Sequence, residues 1–576
     1  MPSEERSRTN LDARWIARIY GATGGEDFLG LRAVQENMTS QLLPGIITTT
    51  SRARYYPFYS WLLVEHTVQK KPGLPLPGFV KRREKIFVLA NLAASTASNG
   101  PAQGRGLLGS RKLGGHWRTN HESTYIPLST NDYLEATYGG YSTYAGVMAV
   151  LGLAHWDGPN FLGVLPKGQQ LAEAFADAIR ETEYYARRAT FDTAESIPRL
   201  VLEEYGSRCH LSALAGSSDA TSTLESLFAF DAETTTAPLG GSDSSLGNMK
   251  GSLALILDMI DQAEGPFGDE EFREAAAYGA CADYSSYRPS NEVEPVLAHW
   301  QMFQLREYYV YALYCLWVYF LYWLRLEGPK TFEDFRTHLN DAIDLTIPAT
   351  ALGIALPGKR PYEWSLTGWL DTLLEVSGVT GPHWENRCAS FAATSDVPPN
   401  EHQLYRLLSR GGPEDPSQYV GTTWLLLSSL FLRLSGIRKS VEEEAWYWAR
   451  FGGARRRSMA LFVADMESHM EARESLLDTW TWLFRDYIVA QHIISALEKW
   501  RQRRPRANTF HFNYDRGLFE WVQDGRTGFS GSRFPQAYSM LADLGLYRIV
   551  PEENGIPELT DLGLRTLHRV EEALGG

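Results

Sequence analysis

The run from Tyr308 to Leu324 contains no charged residue and is bracketed by Arg306-Glu307 on one side and Arg325 on the other. A helix without a polar stripe has no face for water, so this segment must be enclosed by lipid or by the rest of the chain. It falls short of the ~20 residues that cross a bilayer. It also holds six tyrosines, whose hydroxyls belong at a membrane interface and not at its centre. The spacing therefore predicts a buried core helix over 294–326, around which other helices pack. A chain of 576 residues, 44% hydrophobic and 12% aromatic, has enough apolar surface to build such a core.

Apolar residues recur at helical spacing through most of the sequence, and few runs alternate long enough to form a large sheet. Helices are expected over 51–69, 77–94, 131–151, 168–189, 251–262, 331–343, 362–376, 422–434 and 441–449, with 458–500 as two helices or one kinked helix. The fold class is mainly α: a multidomain helical body with a small C-terminal winged-helix-like α+β module. The expected domains are an N-terminal helical domain (1–235), a central helical domain containing the aromatic helix (250–505) and the terminal module (506–576). The stretch 216–251 is rich in Ser, Thr, Gly and Asp apart from the apolar 224–230, and with 393–400 it is expected to be loop. Cys209, Cys281, Cys315 and Cys388 lie far apart with no CxxC pair, which suggests reduced thiols and no disulfide framework. Met1 to Asn10 is polar and charged, so a cytoplasmic location is expected and no membrane partner.

Near the C-terminus, Lys499-Trp-Arg-Gln-Arg-Arg-Pro-Arg506 forms a basic run. Beyond it, 533–544 is apolar at helical spacing and Gly545 stops it; 546–550 and 556–559 have strand character around a turn at 551–555. Thr560 can cap a last helix through Leu562, Leu567, Val570 and Leu574. This order suggests a winged helix. A net charge of -14 excludes a protein that coats nucleic acid over its whole surface, so any contact must be local. The expectation is that Lys499, Arg501, Arg503, Arg504 and Arg506 hold phosphate, while the helix presents Arg533, Gln536 and Tyr538 to a groove of duplex DNA. Asp543, Glu552 and Glu553 oppose that reading, and docking of a partner protein is the competing use of the module.

A second candidate site mixes arginines with rings. Asp27-Phe-Leu-Gly-Leu-Arg32 is followed by Leu42-Leu-Pro-Gly-Ile-Ile-Thr-Thr-Thr-Ser-Arg-Ala-Arg-Tyr-Tyr-Pro-Phe-Tyr-Ser-Trp61. Arg52, Arg54, Tyr55 and Tyr56 fall within one or two turns of a predicted helix, and a guanidinium beside a ring can hold a phosphate or a base. The alternative is an amphipathic helix whose arginines pair with carboxylates. The Leu-Pro-Gly-Ile, Thr-Thr, Arg-Ala-Arg-Tyr-Tyr and Phe-Tyr-x-Trp of 43–61, together with His299-Trp-x-x-Phe303-x-x-Arg306-Glu-Tyr-Tyr309, Ala312-Leu and Trp317, resemble a family of helical bacterial proteins encoded in anti-phage defence islands. The resemblance implies a role in defence and membership of a multi-protein complex. It implies no catalytic residues.

Catalytic signatures are weak. Asp465, His469 and Arg473 recur every four residues beside Glu467, Glu471 and Glu474, but a metal would need ligands from a facing helix such as His492. A solvated helix face explains the pattern, so no metal and no cofactor are expected. His116 and His121 match no ligand motif, and adjacent Cys209-His210 cannot point at one another. The lysines of Gly241–Lys250 and Gly328-Pro-Lys-Thr331 are misplaced for a phosphate loop. The functional expectation is a non-catalytic subunit of a defence complex. It would contact DNA through its basic C-terminal end and dock partner proteins, with an ATPase or nuclease among them. An effector enzyme whose site assembles only in the fold, and a pure scaffold, are the alternatives.

Overall fold

The computed structural model describes residues 27–69, 74–97, 106–129, 133–136, 139–156, 162–228, 244–279, 287–394, 400–440, 443–502, 509–550 and 555–575. The chain is mainly helical, with short antiparallel strand pairs. Its contacts form two units, each gathered from separate stretches. One takes the described residues of Met1–Met38, Arg273–Arg288 and Leu297–Ser530, the other those of Thr39–Phe272, Pro289–Val296 and Gly531–Gly576. These units cut across the consecutive segments 1–235, 250–505 and 506–576, and the last of these is divided after Ser530.

In the first unit the aromatic run lies in the helix Glu294–Glu327, and Tyr308, Tyr309, Tyr314, Trp317 and Phe320 are at most 1% exposed. A second long helix, Pro416–Ser440, supplies another apolar segment. Both pass a test of length and hydropathy for crossing a membrane, yet 78% and 94% of their apolar windows are buried inside the protein. One buried ring edge is met by a side chain, where Trp369 Nε1 donates to Ser428 Oγ at 2.9 Å. The expected 458–500 segment is two helices, Met459–Glu471 and one that begins at Leu476. Arg473 between them adopts φ 56°, and Ser475 caps the second through Asp478 N. That second helix widens into a π-turn over Phe484–Val489 before continuing as Ala490–Gln502. The strands Phe512–Asp515 and Leu518–Trp521 pair with Phe512 opposite Trp521.

The second unit packs Tyr55–Val68 against Pro166–Ile179 and Leu76–Ala97 against Arg199–Cys209. Gly206 makes the latter crossing close: a Cβ there would stand 2.1 Å from the Ala90 carbonyl oxygen. Three expectations change. The helix expected over 131–151 spans Tyr141–Val150, because the buried Glu84 carboxylate accepts from Gly140 N and Tyr141 N and so sets its start. The helix expected over 168–189 is two, Pro166–Ile179 and Glu183–Phe191, because Thr182 accepts from Tyr185 N and starts a new one. Within 216–251, expected to be loop apart from the apolar 224–230, helices occupy Asp219–Phe228 and Ser244–Asp261, and 229–243 lie outside the described residues.

From Gly531 onward, the helix Phe534–Asp543 leads to strands Tyr547–Val550 and Ile556–Leu559, paired with Tyr547 opposite Leu559. The helix Asp561–Gly575 follows, begun by Thr560, whose hydroxyl accepts from Gly563 N.

Candidate nucleic-acid interface

The helix Ala490–Gln502, which carries the start of the basic run, presents different residues on its two faces. On one face Gln491, His492, Ser495 and Lys499 recur at intervals of three or four and hold the segment Asp27–Arg32 of the same unit. Gln491 Nε2 donates to Leu29 O at 2.9 Å, Ser495 Oγ donates to Asp27 O at 3.4 Å, and the Lys499 ammonium also donates to Asp27 O. His492 Nδ1 lies 3.1 Å from Phe28 O, and its Nε2 accepts from His511 N at 3.2 Å. These partners fix the tautomer with the proton on Nδ1. Burial pushes this imidazole down to about 3, so it is neutral, and it stacks on Trp317 at 4.2 Å.

The segment is tied from its other side as well. The Asp27 carboxylate accepts from Leu31 N at 2.9 Å, from Arg32 N at 3.1 Å and from the Tyr314 hydroxyl. Arg456 Nη1 donates to Gly30 O at 2.7 Å, and Gly30 adopts φ +69°. Asp27–Arg32 and the helix containing Arg306 and Trp317 therefore meet in this unit.

The other face of the helix is open. Ile494 and Leu497 are each 38% exposed and Trp500 52%, with Arg501 exposed beside it. Large apolar side chains on a helix that ends in arginines form an exposed stripe with positive charge at its tip. Lys499, expected to hold phosphate, is half-buried and engaged on Asp27 O, so it anchors the run. Arg503, Arg504 and Arg506 lie outside the described residues. Arg455 and Arg456 both pair with Glu498, and Arg457 Nη2 donates to Asp486 O.

The expected groove-reading residues have internal partners in the second unit. Arg533 Nη1 donates to Ile46 O at 3.0 Å and Nη2 to Ser40 Oγ at 2.9 Å, while Gln536 Nε2 donates to Thr48 O at 3.3 Å. Tyr538 stacks between Phe534 at 5.1 Å and Tyr547 at 4.5 Å. Its helix also places Asp543 against Arg52.

Arg52 and Arg54 follow the pairing alternative. Arg52 Nε donates to Asp543 Oδ2 at 2.8 Å, with Nη2 2.8 Å from Oδ1. Arg54 is 0% exposed and grips Asp219 with Nε at 3.1 Å and Nη2 at 3.0 Å, while Nη1 donates to His210 O at 2.8 Å. A fork-on-carboxylate pair sealed in this way uses up the guanidinium. Tyr55 and Tyr56 are each 1% exposed; Tyr55 accepts from Leu108 N and Tyr56 donates to Gly45 O. They are core residues.

The remaining polar groups are dispersed. Asp465 accepts from the Tyr487 hydroxyl at 2.7 Å, and His469 pairs with Glu474 at 2.6 Å. His116 Nε2 donates to Pro127 O and His121 Nδ1 to Arg118 O. Burial pushes the Cys209 thiol up to about 12, far from a thiolate nucleophile. Among the described residues, no group of three or more His, Cys, Asp or Glu side chains is placed to hold a metal. The exposed stripe on Ala490–Gln502 is visible in the sequence as spacing, but spacing alone cannot say which of two apolar faces other helices cover. Comparison with family models, curated proteins and solved structures returned no match.

Proposed function

We propose that this chain is a non-catalytic subunit of a bacterial anti-phage defence complex that holds DNA at the tip of the helix Ala490–Gln502. The observation that supports this most is the exposed pair Trp500 and Arg501, at the point where a helix anchored by Lys499 runs into further arginines. In this reading Arg501, Arg503, Arg504 and Arg506 neutralise phosphate, and the Trp500 ring stacks on an unpaired base at a duplex end or junction. Anchoring Lys499 and Ser495 on the Asp27 carbonyl lowers the ordering cost of binding, because the platform is already in place.

The terminal helix, strand pair and helix act as a winged-helix-like docking module for protein. Arg533, Gln536 and Tyr538 are engaged within the unit, whereas Ile549 on the strand Tyr547–Val550 is 55% exposed. An ATPase or nuclease docked in the complex would supply the chemistry. The defence assignment rests on the two sequence motifs.

The test is titration of labelled duplex DNA, blunt or with a single-stranded overhang, at low salt. Wild type is expected to bind both and to favour the overhang, with Trp500→Ala removing that preference by about tenfold in affinity and Arg501→Glu weakening both DNAs. Wild type that binds neither DNA would remove the proposal, and unchanged affinities in both variants would remove this site.

A further inference from the structure

Arg306 is 0% exposed on the helix Glu294–Glu327 and, among the described residues, makes one hydrogen bond, from Nη2 to Arg456 O at 3.2 Å. Its Nε and Nη1 are buried with no partner. The Glu307 and Asp27 carboxylates act on it through space but accept no hydrogen bond from it: Glu307 accepts from Ser530 N at 3.1 Å and faces Arg273, Gln35 and Arg32, and Asp27 accepts from Leu31 N, Arg32 N and the Tyr314 hydroxyl. Next on the same side of the helix, Tyr309 is 0% exposed and its hydroxyl also lacks a partner.

A third such group comes from the turn that Arg306 touches. Arg457 lays its guanidinium 4.5 Å from the Tyr487 ring centroid and donates from Nη2 to Asp486 O at 2.7 Å, but its Nε is buried without a partner. Rings join the cluster: Tyr309 lies 5.2 Å from Phe462, and Phe462 lies 6.2 Å from Tyr487. The carboxylate in this neighbourhood, Asp465, accepts the Tyr487 hydroxyl at 2.7 Å. The turn uses positive φ at Gly452 (87°) and Gly453 (52°), which glycine adopts freely, and at Arg457 (44°), where it is costly.

The unmet groups on Arg306, Tyr309 and Arg457 can all donate, and two of these residues are cations, while the unmet acceptor beside them, Glu307 Oε1, belongs to a carboxyl that burial pushes up to about 7. A metal ion is excluded by that sign, and an apolar occupant would leave every donor unmet. Water would accept hydrogen bonds but bring no charge to two guanidiniums that no carboxylate grips directly, whereas an oxyanion answers both needs. Burial already lowers the Arg306 guanidinium to about 10, a cost that a bound anion offsets.

We propose that Arg306, Tyr309 and Arg457 form a buried site for one small tetrahedral oxyanion, of the phosphate or sulfate class. Arg306 and Arg457 supply charge and N–H donors, and Tyr309 adds a neutral donor that fixes orientation.

The experiment is thermal unfolding of the full chain in inorganic phosphate, sulfate or chloride at constant ionic strength, with ion chromatography of the supernatant after acid denaturation. Either a midpoint that rises with phosphate or sulfate but not chloride, or release of one such ion per chain, is expected, and the chromatography says which ion. Tyr309→Phe, which removes one oxygen, should weaken the apparent affinity or occupancy by about tenfold. Arg306→Met should abolish it, and Arg501→Glu should leave it unchanged, which separates this site from the DNA surface. No oxyanion-specific rise together with no released ion would overturn the proposal, as would an effect equal in wild type, Tyr309→Phe and Arg306→Met.

Discussion

At the scale of single residues, the arginines divide by what meets them. Arg54 is locked on Asp219 with neither side chain exposed. Removing one partner strands the other in the interior, so Arg54→Ala should lower unfolding stability by about 3–5 kcal/mol, read from the denaturant midpoint. Arg54→Lys should recover little, because an ammonium cannot reproduce a two-pronged grip. A second residue predicts a pH dependence. Burial pushes Glu84 from 4.5 up to about 7, against the Gly140 and Tyr141 N–H groups that favour its charge. The folded state therefore holds a proton that the unfolded state releases between those values. Stability should be full below pH 4.5 and fall by about 3 kcal/mol as pH rises to 7. In Glu84→Gln that decline should disappear from the pH profile of the thermal midpoint; if it persists, another group causes it. Neither pairing was legible in the sequence. Arg54 with Asp219, and Glu84 with Gly140, are far apart in the chain, and only the fold joins them.

At the scale of elements, the helical reading followed periodicity and failed where a side chain overrode it. The aromatic helix and the terminal strand pair were legible from apolar spacing and turn residues, whereas for 458–500 spacing left two helices and one kinked helix both open. The start at Tyr141 and the break at Thr182 were not, because each is set by a capping oxygen: Glu84, distant in sequence, and the Thr182 hydroxyl, inside an apparently continuous apolar pattern. Two glycines give the sharpest prediction at this scale. A Cβ on Gly206 would stand 2.1 Å from Ala90 O, and one on Gly436 2.1 Å from Cys388 O. In an isolated helix, Gly→Ala stabilises by up to about 1 kcal/mol. Here Gly206→Ala and Gly436→Ala should each destabilise by about 1–3 kcal/mol, since the neighbouring backbone must move. A rise in the unfolding midpoint of either variant would contradict the close crossing.

At the scale of the whole molecule, a net charge of -14 sets what nucleic-acid contact can look like. A charge of that sign repels phosphate in general, so in the proposed reading affinity comes from a small cationic tip and falls steeply with salt. Side chains at two of the expected sites have internal partners for a common reason. Composition near Arg52 and Arg533 signals cations and rings, but carboxylates and carbonyls elsewhere in the same unit take them up. What survives is the open end of Ala490–Gln502, where Trp500 and Arg501 face solvent and Lys499 is the anchor. The most direct measurement is the slope of log affinity for duplex DNA against log salt concentration, in wild type and in Arg501→Glu, Arg503→Glu, Arg504→Glu, Arg506→Glu combined. Each phosphate contact contributes a slope of about −0.9. The account predicts that the combined variant loses roughly three or more units of slope and most of its affinity at low salt. Equal affinity and equal slope in the two proteins would contradict it.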